Sequence, residues 1–258
     1  MTYECIQVEN KERLAFLTMN RPRVMNALNV GMILELQDAL QTVASNDETR
    51  VVILQGAGGN FCSGADMSLF AEGLSAPTWL KGMKDIGRMI RTLREIPQPI
   101  IAKVRGVAYG GGANLALAGD FVLASHNARL CENFVNIGIV VDAGGTYYLP
   151  RLVGLAKARE IALLGEEMDG RTAASIGLIY KSVPDEELDG EVDSLANALA
   201  QKSLASMALI KEALDASFDM SLEEALEWEA AHQSIVLQTS EHKEAVRRFL
   251  ESRGKSLG

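Results

Sequence analysis

Apolar residues recur along the first two-thirds of the chain at two different spacings. Residues 3–8 alternate in character, residues 14–19 form a short apolar run, and residues 50–55 hold the β-branched cluster Val51-Val52-Ile53. Each of these predicts a strand. Between the last two, Met32, Leu34, Leu36, Leu40 and Val43 fall at spacings that suit an amphipathic helix over residues 31–44. Residues 78–95 repeat the helical pattern and stop before Pro97, whose ring forbids continuation. Residues 100–104, 120–124 and 178–183 read as further strands. Strands separated by helices predict an α/β fold with crossover connections.

The pattern changes after about residue 185. Residues 186–199, 203–218, 221–237 and 240–252 read as four helices, three of them opening at a serine (Ser203, Ser221, Ser240). This gives two expected regions, an α/β core over 1–190 and a helical lid or oligomerisation region over 191–258. The absence of a low-complexity or Pro-rich linker argues that the two are packed rather than tethered.

Composition narrows the partners. With 25 Lys+Arg against 34 Asp+Glu the formal charge is −9, so neither a nucleic-acid duplex nor an anionic membrane is expected as a general partner. A small anionic ligand remains compatible, since a few local cations suffice. The first fifteen residues carry charges throughout, and the long charge-free stretches 51–65 and 106–119 fall short of the ~20 apolar residues of a membrane span. Cys5, Cys62 and Cys131 form no CxxC pair, and His126, His232 and His242 are the only histidines. A disulfide framework and a metal site are therefore not expected, and a cytoplasmic location is.

Two glycine-rich stretches carry the candidate chemistry, GAGGNFCSGADM at 56–67 and GVAYGGGANLALAGD at 106–120. Each follows a predicted strand and leads toward a helix. Glycine there permits positive φ and lets a ligand approach the backbone. Two such loops brought together could aim two amides at one oxygen, the geometry of an oxyanion hole. Neither stretch has the GxGxxG spacing of a dinucleotide site or the Lys-Ser/Thr ending of a P-loop, and Ser63 lacks the preceding glycine of a nucleophile elbow.

Several motifs occur in a telling order: Asn20-Arg21-Pro22 with Asn26-Ala27-Leu28, Phe61-Cys62-Ser63-Gly64-Ala65-Asp66, Gly110-Gly111-Gly112, and Ala143-Gly144-Gly145-Thr146 with Leu149-Pro150-Arg151-Leu152-Val153-Gly154. Together they resemble the crotonase family of enoyl-CoA hydratases and isomerases, over nearly the whole chain. The resemblance implies a spiral of ββα units followed by a helical trimerisation region, assembled as a homotrimer or a dimer of trimers. It also implies an acyl-CoA thioester substrate, with coenzyme A entering as part of that substrate and no tightly bound cofactor. By the same resemblance the oxyanion amides are those of Ala65 and Gly111. Ala27, Ser63, Gly64, Asp66, Met67, Gly110, Phe134 and Phe249 line the substrate, and Arg23 and Lys255 are cations for the CoA phosphates.

The sequence departs from the family where hydratases carry two glutamates. The first position, two residues after Gly112, is Asn114, and the second, ten before Gly144, is Phe134. Asparagine takes no proton at neutral pH and phenylalanine neither donates nor accepts one. Asp142 follows the apolar run 137–141 and precedes Ala143-Gly144-Gly145. At the end of a buried strand, such an acid would have its pKa raised by desolvation. Its placement is similar to branches of the family that use an aspartate here, the ring- and double-bond isomerases of aromatic catabolism and the chlorobenzoyl-CoA dehalogenases. The expected chemistry is double-bond isomerisation with Asp142 as acid/base and Asn114 beside it. A hydratase with a non-standard water-positioning set and a non-catalytic CoA-binding paralogue are the alternatives. Glu132 is a second candidate acid, placed by strand alternation on the side of Phe134. Asp66 is also a candidate helix cap, Asp120 a buttress for a strand, and Cys62 and Cys131 small core residues.

Overall fold

The computed structural model of the protein describes residues 3–71 and 73–252. The chain forms two compact units, Met1–Leu199 and Ala200–Gly258. In the first, strands β1 (Ile6–Lys11), β2 (Leu14–Met19) and β3 (Val51–Gly56) begin a sheet. Helix α1 (Val30–Ala44) connects the second strand to the third. Asn29 caps α1, its Oδ1 accepting from the Met32 N–H at 2.8 Å. The helix buries Met32, Ile33, Leu36, Ala39, Leu40 and Val43, each large side chain contributing about 1.5–3 kcal/mol of burial. Helices α2 (Ser68–Ala71) and α3 (Ala76–Glu95) follow, and α3 stops so that Ile96, the residue before Pro97, is extended.

From there the chain repeats one pattern. Strand β4 (Ile100–Val104), strand β5 (Val107–Tyr109) and helix α4 (Gly111–Leu117) make one ββα turn. Strand β6 (Phe121–Ser125), strand β7 (Arg129–Cys131) and helix α5 (Gly145–Leu164) make the next. Strand β8 (Glu167–Asp169), α6 (Gly170–Ser175), β9 (Lys181–Val183) and α7 (Leu188–Ala200) complete the unit. The first strand of each turn enters a six-stranded sheet ordered β1-β2-β3-β4-β6-β9. That sheet is parallel except for the β1–β2 hairpin. The second strand enters a smaller sheet ordered β5-β7-β8, which Cys62 extends by a bridge to Ala108. The chain thus spirals between two sheets, the ββα architecture expected from the resemblance.

Several expectations change. The apolar run 137–141 is not a strand: residues Asn133–Ile137 form a 3-10 helix, and Val140 is 83% exposed. The expected strand at 178–183 starts only at Lys181, and the first strand only at Ile6. The three-residue strands β5, β7 and β8 were not expected; Pro150 and Gly154 interrupt the helical pattern of α5. The second unit is helical as expected: α8 (Leu204–Ala216), α9 (Leu222–Val236) and α10 (Ser240–Ser252). Ser203 and Ser221 cap their helices, Ser221 in a capping box with Glu224.

Candidate active site

The spiral brings the two glycine loops side by side. Cys62, Ala108 and Leu130 are aligned across the small sheet, so the residues that follow each run forward together. Gly64 lies at φ +88, and a Cβ placed on it would stand 2.7 Å from the Tyr109 carbonyl oxygen and 3.6 Å from the Gly111 nitrogen. Only glycine allows this approach. The carbonyl of Gly64 accepts from Leu28 N–H at 2.7 Å, and the Asp66 N–H donates to Leu28 O at 2.9 Å. These bonds use one edge of the turn, and Ala65 between them has its own N–H directed away from Leu28. Gly111 opens α4, where no carbonyl lies four residues back in the helix to receive its N–H. Neither amide has a hydrogen-bond partner among the described residues. Two free, adjacent amides on rigid loops are what an oxyanion needs.

A carboxylate faces them. Asp142 Oδ1 stands 3.6 Å from where a Gly111 Cβ would be. The side chain is half-buried, and burial raises its pKa to about 6. It therefore carries its charge near neutrality yet is a far better proton acceptor than an ordinary aspartate. The sequence placed it at the end of a buried strand. Instead it sits on the irregular turn before α5, where Ala143 (φ 49) and Gly144 (φ 87) adopt left-handed backbone. The desolvation expected for it is present without a strand to supply it.

Asn114 is fully buried on α4. Its Nδ2 donates to the Asp142 carbonyl at 2.9 Å and to Glu132 Oε2 at 3.1 Å. Glu132, buried where β7 ends, is not on a strand with Phe134; it precedes the 3-10 helix. Phe134 is buried against Gly110, whose Cβ position lies 3.5 Å from Phe134 Cζ.

The other candidates divide. Ala27 is buried beside Leu28, and Ser63 lies on the SGAD turn with its Oγ donating to Val24 O at 3.2 Å. Asp66 Oδ1 accepts from the Ser68 N–H at 3.1 Å and its Oδ2 pairs with Arg21 at 2.8 Å, so it terminates the turn as a cap would. Arg23 is exposed on a 3-10 helix and Met67 is 62% exposed. Phe249 is exposed on α10, and Lys255 lies outside the described residues. Asp120 is structural: its Oδ2 accepts from the Ile100 N–H at 2.8 Å and its Oδ1 pairs with Arg94. Among the described residues no cluster of His, Cys, Asp and Glu could hold a metal, and no helix is long and apolar enough to cross a membrane. Asn26 was missed. Fully buried at φ 56, it donates to the carbonyls of Ala57 and Asn60 and accepts from the Arg21 N–H, tying the first glycine stretch to the residues before α1. A lone asparagine inside a motif gives no signal of such a role.

Comparison with known proteins finds the same family and fold. The family described as Enoyl-CoA hydratase/isomerase matches residues 9–257. A probable enoyl-CoA hydratase of Rhodobacter capsulatus is 40% identical over 254 residues, covering 98% of this chain and 97% of the relative. A 1,2-epoxyphenylacetyl-CoA isomerase of Escherichia coli is 35% identical, covering 92% of each. The crystal structure of an enoyl-CoA hydratase from Bacillus anthracis superposes with a TM-score of 0.92 at 31% identity, covering 96% of this chain and 97% of that one.

Proposed function

The chain belongs to the enoyl-CoA hydratase/isomerase (crotonase) family of enzymes, and from that premise we propose that it shifts a double bond in an enoyl-CoA thioester, with Asp142 carrying the proton. The thioester oxygen accepts from the N–H groups of Ala65 and Gly111. The Asp142 carboxylate removes a proton from the carbon next to the carbonyl of a 3-enoyl chain. The electron pair released moves onto the oxygen as a dienolate, which the two amides stabilise by ~3–4 kcal/mol per donor. Asp142 then returns the proton to the far carbon of the former double bond, and the carbonyl re-forms. The carboxylate ends as it began, and no water is added. Phe134, where hydratases of the family have a glutamate, fits a dry pocket that favours return of the proton over attack by water. Arg23 is the proposed cation for the CoA phosphates. The exposed Leu214, Phe218 and Leu222 of the second unit fit assembly as a homotrimer or a dimer of trimers.

The observation that carries the proposal is the placement of Asp142 Oδ1 beside Gly111 while positions 114 and 134 offer no carboxylate. D142A should lose about 10²–10⁴-fold in turnover of a 3-enoyl-CoA. Wild-type protein should form 2-enoyl-CoA faster than it hydrates crotonyl-CoA. Near-normal turnover by D142A would end the assignment, and faster hydration would make the protein a hydratase. We include cyclic acyl groups in the proposed substrate class, a reading supported by the 35% identity to a relative named 1,2-epoxyphenylacetyl-CoA isomerase.

A further inference from the structure

One buried carboxyl plays no part in the proton transfer described above. Glu132 is 3% exposed, and its Oε2 accepts from Asn114 Nδ2 at 3.1 Å. The same nitrogen donates to the backbone carbonyl of Asp142 at 2.9 Å. An amide nitrogen has two protons, so Asn114 serves both acceptors at once. Glu132 is thereby fastened, through one side chain, to the main chain that carries Asp142. The fastening is enclosed from the other side as well. A Cβ on Gly145 would lie 2.6 Å from Asn114 Oδ1, so the amide fits there only because α5 opens with glycine. At 3% exposure Glu132 has no surface with which to touch a substrate.

We propose that Glu132 is a positioning residue for Asp142: through Asn114 its carboxyl fixes the turn that aims the Asp142 carboxylate. Held together in this way, the two carboxyls are expected to titrate as an interacting pair. Burial raises the Glu132 pKa, the Asn114 hydrogen bond acts against it, and the Asp142 charge adds a smaller upward push, which together leave it at about 8. Near pH 7 Glu132 is then neutral and Asp142 charged, two carboxyls whose environments separate their duties. Beside Glu132, the Cys131 thiol is pushed up to about 11 by burial first, then by the charges of Glu132 and Glu167. It stays protonated throughout the range in which the pair titrates.

The inference rests on the reading of Asp142 as proton carrier for its effect on turnover, but the coupling itself can be measured without substrate. In protein labelled with ¹³C at the Asp and Glu carboxyls, the D142N and E132Q variants assign the two resonances. The Asp142 resonance should titrate in two steps, near pH 6 and near pH 8. E132Q keeps an acceptor for Asn114 and cannot ionise, so it should keep the first step, lose the second, and slow kcat by less than about threefold. E132L removes the acceptor, and kcat should fall roughly 10-fold with KM unchanged. A single-step Asp142 titration, or a second step that survives E132Q, overturns the proposal. So does an E132Q variant as slow as E132L, which would make the Glu132 proton itself part of the chemistry. If D142A keeps its turnover while the two-step titration and its loss in E132Q are observed, the proton-carrier reading fails and the coupling stands.

Discussion

The two glycine loops and the segment from Glu132 to Gly145 meet at one point, yet they are built on opposite principles. In the loops, sterics decide. Gly64 has no room for a Cβ beneath the Tyr109 carbonyl, and a Cβ on Gly112 would overlap the Cys62 carbonyl. The free amides of Ala65 and Gly111 follow from the backbone, whatever the side chains. The segment facing them is held by side chains: Asn114 bridges the Asp142 carbonyl and Glu132, and burial tunes two carboxyls. A fold can keep the first arrangement and exchange the second. In the proposed reaction, that division separates the stabilising of the oxyanion from the moving of the proton.

The comparison breaks most severely at Gly64. At φ +88 with the Tyr109 oxygen 2.7 Å from its Cβ position, alanine must push the loops apart. G64A should cost kcat about 10²–10³-fold, the loss typical of a missing oxyanion donor, in a steady-state assay on 3-enoyl-CoA. If G64A turns over normally, the amides are not where the charge develops.

A smaller effect separates the two regions by stability. The Asp142 pKa in the folded protein is about 6, above the ordinary 3.8. Between those values the folded state binds a proton that the unfolded chain has released, so Asp142 costs stability progressively as pH rises from ~4 to ~6, and the cost persists above. D142N removes that cost. Its Tm should exceed that of wild type by roughly 2–4 °C at pH 7.5, with the gap closing toward pH 4, as read by calorimetry. A Tm lowered at pH 7.5 would show that the carboxylate is structurally stabilised rather than strained by burial.

The smallest effect sharpens the comparison by its absence. Burial pushes the Cys62 and Cys131 thiols to about 12 and about 11. Both should resist iodoacetamide at pH 8 in the folded protein, and C131A should keep turnover within about twofold. Rapid alkylation with loss of activity would point to thiol chemistry.

What the sequence revealed follows the same division. Strands β2 and β4 and helix α10 have the expected bounds: β2 buries one face, β4 is buried on nearly its whole length, and α10, mostly exposed, opens at Ser240 as a serine start predicts. The two glycine loops were legible because glycine at 64 and 110–112 reflects backbone necessity. The strands β5, β7 and β8 are three residues long, too short for a period of two to register. Residues 137–141 misled because apolar character was read as burial, whereas Ile137, Ile139 and Val140 are exposed. Asp142 was picked out by its position before a glycine pair, but the reason for its raised pKa was misplaced. Nor could Glu132 be seen as the partner of Asn114, since that contact joins β7 to α4 across 18 positions of sequence.

The most direct test of Asp142 is the pH dependence of kcat/KM on a 3-enoyl-CoA for wild type and D142A. Wild type should rise from pH 5 through a midpoint of about 6 to a plateau by pH 7.5. D142A should lie at least about 100-fold lower there and show no step at that midpoint. A D142A profile that overlays the wild-type curve would contradict the assignment and move the proton to another group.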